Sequence, residues 1–200
     1  MFIQVIQGRI TDKGEVRSAL DRWQAELAPG ATGWQGTTCG ITDDDYFVGL
    51  VRFDSPDSAR RNSDRPQQHQ WWTETSKLFA GEVTFHDCQD VEVMLGGGRD
   101  DAGFVQIIQG RVRDVNRMRE LGRRFEPVLQ RERPDVLGGT VAMHGDGFTQ
   151  AVYFSSERDA REGEKKELPA DAREAFQEQM SLMEDVKYYD LREPLIYSPR

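Results

Sequence analysis

The chain has 200 residues, of which 37% are hydrophobic and 30% are charged, and its formal net charge at pH 7 is −9. Both halves are acidic and neither carries a basic stripe, so nucleic acid and anionic membranes are poor candidates as partners. The sequence has no run of eighteen apolar residues and no basic N-terminal region followed by an apolar one, so a cytoplasmic location is expected. The two cysteines, Cys39 and Cys88, are too few for a disulfide scaffold or a zinc site.

The chain begins with a segment that recurs 102 residues later. Residues 2–12 read Phe-Ile-Gln-Val-Ile-Gln-Gly-Arg-Ile-Thr-Asp, and residues 104–114 read Phe-Val-Gln-Ile-Ile-Gln-Gly-Arg-Val-Arg-Asp. Seven of the eleven aligned positions are identical, and three are exchanges between Ile and Val. A match this dense at a domain-sized spacing indicates two fused copies of one domain.

In the first copy, hydrophobic periodicity and turn residues predict alternating strands and helices. Asp12 is expected to cap the first helix, and Ser55 the second helical segment. The predicted elements are, in order, a strand over 2–8, a helix from residue 13, strands over 34–41 and 46–53, a helix over about 67–79, and a fourth strand from 83 that extends towards 94.

The second copy repeats this pattern. Ser156 repeats the cap of Ser55, and Phe125 takes the place of Trp23 on the first helix. The predicted elements are a strand over 104–110, a helix over 114–130, strands over 138–144 and 148–154, a helix over 169–183 and a strand over 186–191. Leu195 to Arg200 is expected to be a tail on the surface.

The order β-α-β-β-α-β is the split βαβ, or ferredoxin-like, arrangement, with helices on one face of an antiparallel sheet. The other sheet face needs cover, and two copies can cover each other by packing sheet to sheet. The predicted fold class is therefore α+β, as two tandem ferredoxin-like repeats: repeat 1 at 1–95, a linker at 96–103 and repeat 2 at 104–200. Because each half covers the other, the chain is expected to be a monomer with pseudo-dimeric halves.

The element order, the duplication and the strand motif Gln7-Gly8-Arg9, repeated as Gln109-Gly110-Arg111, resemble the dimeric α+β barrel superfamily, here with both protomers fused in one chain. The resemblance covers nearly the whole chain and is a fold-level signal. That superfamily includes antibiotic-biosynthesis-type monooxygenases, haem-degrading monooxygenases and ligand-binding proteins. The resemblance implies a pocket in each half, between the sheet and its helices, lined by the first strand and the second helix.

Haem-degrading members of that superfamily carry an Asn at the end of the first strand, a Trp in the second helix and a His further on as the iron ligand. Gln7 or Gly8 stands near the Asn position, and Trp71 or Trp72 can match the Trp. Gly81 and Glu82 stand where the His would be. Haem degradation is disfavoured, because the iron needs an axial ligand, and no cofactor is predicted.

The pair Trp71-Trp72 is the most conspicuous candidate for ligand binding. The ordinary interpretation is that at least one of the two is core, because an exposed Trp is unfavourable. The functional interpretation is an aromatic wall for a flat ligand. The second copy has Phe176 near this position and no Trp, so the first half is the better candidate for a pocket.

Two glutamines and one histidine complete the predicted site. Gln7 and Gln109 interrupt apolar strands, where each either makes a structural hydrogen bond or polarises a ligand carbonyl or hydroxyl. His86, beside Asp87, is the best candidate for proton transfer, although a structural histidine is the more ordinary interpretation. Tyr189, its counterpart by alignment, could bind the same ligand. No spacing typical of metal ligands occurs, so no metal site is predicted.

These residues leave three functions open. The first is a cofactor-independent monooxygenase-like oxidoreductase that acts on a flat aromatic small molecule. The second is a non-catalytic protein that binds or senses a small molecule on the same scaffold. The third is a structural role, in which all the apolar residues belong to the core.

Overall fold

The computed structural model describes residues 1–199, apart from the side chain of Asp171. The chain divides into two compact units. The first unit comprises Met1–Val91 and the segment that starts at Glu193, and the second comprises Glu92–Arg192. In the described part of the chain, no helix combines the length and the hydropathy that crossing a membrane requires.

The first unit is a five-stranded antiparallel sheet with helices packed on one face. The elements are β1 (Phe2–Arg9), α1 (Lys13–Arg22), β2 (Trp34–Ile41), β3 (Tyr46–Phe53), α2 (Pro56–Ser63), α3 (Pro66–Thr75), β4 (Thr84–Cys88) and β10 (Leu195–Tyr197). The strands are ordered β10-β2-β3-β1-β4.

The second unit repeats this plan. Its elements are β5 (Asp90–Met94), whose first two residues belong to the first unit, β6 (Phe104–Val112), α4 (Val115–Glu132), β7 (Val136–His144), β8 (Gly147–Phe154), α5 (Glu157–Glu164), α6 (Ala170–Ser181) and β9 (Met183–Leu191). Its strands are ordered β5-β7-β8-β6-β9. The chain is α+β with two ferredoxin-like halves in tandem, which confirms the predicted fold class. Each sheet is open, and the predicted packing of one sheet against the other stays a prediction.

The repeated segment folds in the same way in both halves. Asp12 accepts a hydrogen bond from the backbone N–H of Glu15 at 2.9 Å, and Asp114 accepts one from the N–H of Arg117 at 2.9 Å. Each aspartate therefore caps the helix that follows its strand, an interaction that stabilises a helix by about 1 kcal/mol. The two copies share the strand and the start of the first helix.

Each sheet has a fifth strand that the sequence did not predict. The fourth strand was expected to extend towards Met94, but β4 ends at Cys88 and β5 is a separate strand of the second sheet. The segment from Leu195 was expected to be a surface tail. This prediction is wrong for Leu195–Tyr197, because these residues form β10 and pair with β2. Arg200, the last residue of the predicted tail, lies outside the described residues. Strands of three and five residues have too little alternation to be recognised locally.

Candidate functional site

A cavity lies between the sheet and the helices of the first unit. It holds about 820 Å³ of empty space, counting the part that opens to solvent. The sheet contributes Gln4, Ile6, Thr37, Phe47, Gly49, Val51, Phe53 and Tyr197 to the wall. The helices and the segments that follow them contribute Val16, Leu20, Trp23, Ala59, Asn62, Ser63, Gln68, Trp71, Trp72, Thr75 and Phe79.

Trp23 enters this wall at a change of helix type. Helix α1 ends at Arg22, and a π-helical turn continues over Trp23–Leu27. The indole N–H of Trp23 donates to Gln68 Oε1 at 2.7 Å, and its ring meets Trp34 edge to face at 5.2 Å between centroids. Such π-helical turns are rare in proteins, and many of those that occur lie at functional sites. The wider turn and the Gln68 contact fix a large aromatic ring in the wall.

Trp71 and Trp72 form the neighbouring part of the wall on α3. Their ring centroids are 6.2 Å apart. The indole N–H of Trp71 donates to the carbonyl oxygen of Ala19 at 3.0 Å, while the ring of Trp72 meets Phe85 edge to face at 5.3 Å. Both side chains are half-buried and pack against the core clusters. Each therefore packs as a core residue on one side and lines the cavity on the other.

Strand β10 brings a residue from the end of the chain into the same wall. Tyr197 pairs with Thr37 in the sheet, and its hydroxyl donates to Asp21 Oδ1 at 2.7 Å. Burial, with the nearby Asp21 carboxylate, raises the pKa of Tyr197 above its ordinary value, so the phenol stays protonated. Gly36 allows β10 to lie close to β2. Its φ is +129°, and a β-carbon there would lie 2.8 Å from the carbonyl oxygen of Tyr197.

Gln4 is the glutamine of β1 that faces the cavity. Its amide donates to Asp87 Oδ1 on β4 at 2.8 Å. The second half repeats this pair, since the amide of Gln106 donates to Asp190 Oδ1 at 3.0 Å. The pair ties the first strand to its neighbour in both sheets.

Gln7 and His86 lie on the other side of the first sheet. Side chains alternate along β1, so Gln4 and Ile6 face the helices while Val5 and Gln7 face away from them. His86 pairs with Val5 and shares its face. The structure therefore brings Trp71 and Trp72 to the cavity and does not bring Gln7 or His86 there. The roles predicted for Gln7 and His86 stay predictions.

Gln109 and Tyr189 belong to the second unit. The amide of Gln109 donates to the Thr149 hydroxyl at 3.0 Å, a structural hydrogen bond of the ordinary kind. Tyr189 is half-buried on β9 and pairs with Ile107. Their predicted part in ligand binding also stays a prediction.

The two cysteines are both buried free thiols. Burial raises the pKa of Cys39 to about 12 and that of Cys88 to about 11. Both thiols are therefore protonated at neutral pH and are poor nucleophiles. Among the described residues, no group of three or more His, Cys, Asp or Glu side chains is arranged to hold a metal ion.

The sequence interpretation missed Trp23, Thr75 and Tyr197 as wall residues. A signal existed for Trp23, because it continues the helical spacing of Val16 and Leu20, which also line the cavity. Thr75 and Tyr197 had no local signal, since their positions depend on how the helix and the last strand dock.

Comparison with known proteins finds similarity of fold, through solved structures. No family model and no curated protein matches the chain. Among solved structures, a proposed monooxygenase from Fusobacterium nucleatum superposes with a TM-score of 0.77 at 8% identity, covering 98% of this chain and 94% of that one. An anthrone oxidase-like protein superposes with a TM-score of 0.64 at 11% identity, over 98% of this chain and 90% of that one.

The chain shares the ferredoxin-like fold of monooxygenase-type proteins. The same fold also occurs in a major regulator of staphylococcal pathogenesis. That protein superposes with a TM-score of 0.52 at 9% identity, and the superposition covers 100% of both chains. At such identities the likeness extends to the fold alone, and one fold carries several functions. Function has to be argued from the cavity.

Proposed function

We propose that the first half of the chain binds a flat aromatic small molecule in its cavity and oxidises it with molecular oxygen, as a cofactor-independent monooxygenase. The observation that carries the proposal is the aromatic wall formed by Trp23, Trp71 and Trp72. Large rigid rings beside an apolar space bind flat apolar molecules, because burying the ligand's faces removes apolar surface from water.

The oxidation step rests on the fold shared with monooxygenase-type proteins and on the chemistry that such a cavity allows. With no cofactor, the substrate itself supplies the electrons. A ring CH2 group of an anthrone-like molecule reacts with O2, one oxygen atom becomes the carbonyl oxygen, and the other leaves with the two hydrogens as water. The wall would hold the substrate's rings and keep bulk water away from the reacting carbon.

A second candidate function is binding or sensing without turnover. The cavity wall, as far as the structure describes it, contains no Asp, Glu, His, Lys or Arg, and its titratable side chain is Tyr197. Because its pKa is raised, this phenol stays protonated at neutral pH and cannot accept a proton, so a substrate would have to lose its proton without a base in the wall. This observation favours a protein that holds its ligand unchanged.

Oxygen uptake and thermal shift, measured on the same samples, separate the two functions. Anthrone and a panel of hydroquinones are added to the whole chain in air, and the melting temperature is measured under nitrogen. Uptake that depends on the protein supports the oxygenase, and a raised melting temperature without uptake supports the binder. Trp72→Ala should abolish either signal, while Phe176→Ala in the second half should preserve it. No uptake anywhere, together with ligand binding that Trp72→Ala leaves unchanged, would contradict the proposal.

A further inference from the structure

Most polar groups in the cavity wall already have partners within the protein. The indole N–H groups of Trp23 and Trp71 donate to Gln68 and to the backbone of Ala19. The hydroxyl of Ser63 donates to the carbonyl oxygen of Ala59 at 3.1 Å. Groups bonded in this way are satisfied without a ligand, and they leave few positions where a ligand could gain a hydrogen bond.

Thr75 is the exception. It is the last residue of α3, it lines the cavity, and the residue is only 4% exposed. Its hydroxyl oxygen is buried and has no hydrogen-bond partner among the described residues. A buried hydroxyl left unpaired costs about 1–3 kcal/mol, and native proteins contain few such groups. The hydroxyl oxygen is closed off from the cavity in this structure, so the Thr75 side chain has to rotate to bring it to a ligand atom, and that contact would recover the free energy.

The absence of charge in the wall restricts the ligand further. None of the wall residues in the described chain is Asp, Glu, Lys, Arg or His. A charged ligand would lose its hydration there and find no opposite charge, which is strongly unfavourable. The wall therefore selects for a neutral molecule.

We infer that the cavity takes a neutral, flat aromatic molecule that carries a carbonyl oxygen, and that the hydroxyl of Thr75 donates to this oxygen. The inference rests on the proposed function and adds to it the chemical class of the ligand and the residue that recognises its polar atom. The indole side chains hold the aromatic rings of the ligand, and the hydrogen bond from Thr75 fixes the orientation of the ligand in the cavity.

A matched pair of probes tests the hydrogen bond. Anthrone carries a carbonyl, and 9,10-dihydroanthracene has the same three rings without it. Affinities are measured under nitrogen by quenching of tryptophan fluorescence. The wild-type chain should prefer anthrone by about tenfold, as expected for one hydrogen bond that satisfies a buried hydroxyl. Thr75→Val should lose this preference, and Thr75→Ser should retain most of it.

Thr140 provides the control. Its hydroxyl oxygen is also buried and without a partner in the described chain, but it lies on β7 of the second unit. Thr140→Val makes the same chemical change and should leave the preference for anthrone intact. Both valine variants should melt at or above the wild-type temperature, because each replaces an unpaired hydroxyl by a methyl group of similar size.

The outcomes are distinguishable. If anthrone and dihydroanthracene both bind and Thr75→Val keeps the preference, the inference about Thr75 is wrong and the proposed binding site stands. If neither probe binds the wild-type chain, the proposed function fails and the inference fails with it. 9-Anthracenecarboxylate, a flat anion, should bind at least tenfold more weakly than anthrone, and equal affinity would contradict a neutral ligand.

Discussion

Both halves start with the same strand and the same aspartate cap, but their helical layers differ. In the first half the helix changes to a π-helical turn at Trp23, and all four tryptophans of the chain lie in this half. In the second half α4 continues for 18 residues. There Arg117 holds Glu178 of α6 through two bonds of 2.6 and 2.7 Å, and Phe125 packs on Phe176 at 5.6 Å between centroids.

The difference shows which part of the repeat forms the cavity wall. The shared strand residues are used alike: the amides of Gln4 and Gln106 bind equivalent aspartates on the neighbouring strands. The helix residues that face the sheet are not shared, and they form the aromatic wall in the first half. The repeated motif therefore specifies the sheet, and the proposed ligand site depends on residues that the two copies do not have in common.

The largest expected effect compares the two equivalent helix aromatics. Trp23 is 8% exposed, whereas Phe125 is half-buried. Trp23→Ala should lower the free energy of unfolding by about 3–5 kcal/mol, because it removes a buried aromatic ring, and Phe125→Ala by about 1–2 kcal/mol. Guanidinium unfolding at 25 °C measures both losses. Equal losses would show that the two helical layers are packed alike.

A smaller effect is expected from removing the last strand. A chain that stops after Arg192 lacks the half-buried Leu195 and Tyr197, and its free energy of unfolding should fall by about 2–3 kcal/mol. Hydrogen exchange should show faster exchange in β2, and β7 of the second sheet should be unaffected. A chain that stops after Ser198 is the control. Unchanged protection of β2 in the shorter chain would mean that β10 does not hold the first sheet.

The smallest effect concerns the half-buried ion pair of Arg117 and Glu178 in the second half. The guanidinium of Arg117 lowers the pKa of Glu178 below its ordinary 4.5. Because the folded-state pKa is the lower one, the pair stabilises the fold above about pH 4.5, and this contribution is lost as the pH falls through the folded-state pKa. Glu178→Gln should slightly lower the melting temperature at pH 7 and flatten its decline in acid. Parallel melting curves from pH 7 to pH 3 would show that the pair contributes nothing, as surface pairs sometimes do.

Local pattern was sufficient for much of the fold. The hairpin strands β2 and β3 were predicted over 34–41 and 46–53, and the structure has them at the same bounds. The reason is that alternation and a polar turn are local signals. Strands β5 and β10 were missed as separate strands, because each is short and joins a different sheet from the strand that precedes it in the chain.

The site was predictable only in part, for a geometric reason. Alternation places Gln4 and Gln7 on opposite faces of β1, and the structure has this arrangement. Whether Gln4 or Gln7 points towards the helices depends on the side of the sheet on which the helices dock. The residues of the strand do not determine that side. Trp71 and Trp72 could be selected because tryptophan is rare and amphipathic, whereas an unpaired hydroxyl at Thr75 is visible only once every neighbour is in place.

The pairing of β10 with β2 has a consequence for how the protein is made. Thr37 leaves the ribosome long before Tyr197, its partner in the sheet. At about 5–20 residues per second, the first half waits roughly 10–30 s with the outer edge of β2 uncovered. An uncovered edge invites pairing with other nascent chains. We expect newly made chains to depend on chaperones during this interval, and expression at lower temperature to raise the yield of correctly folded protein.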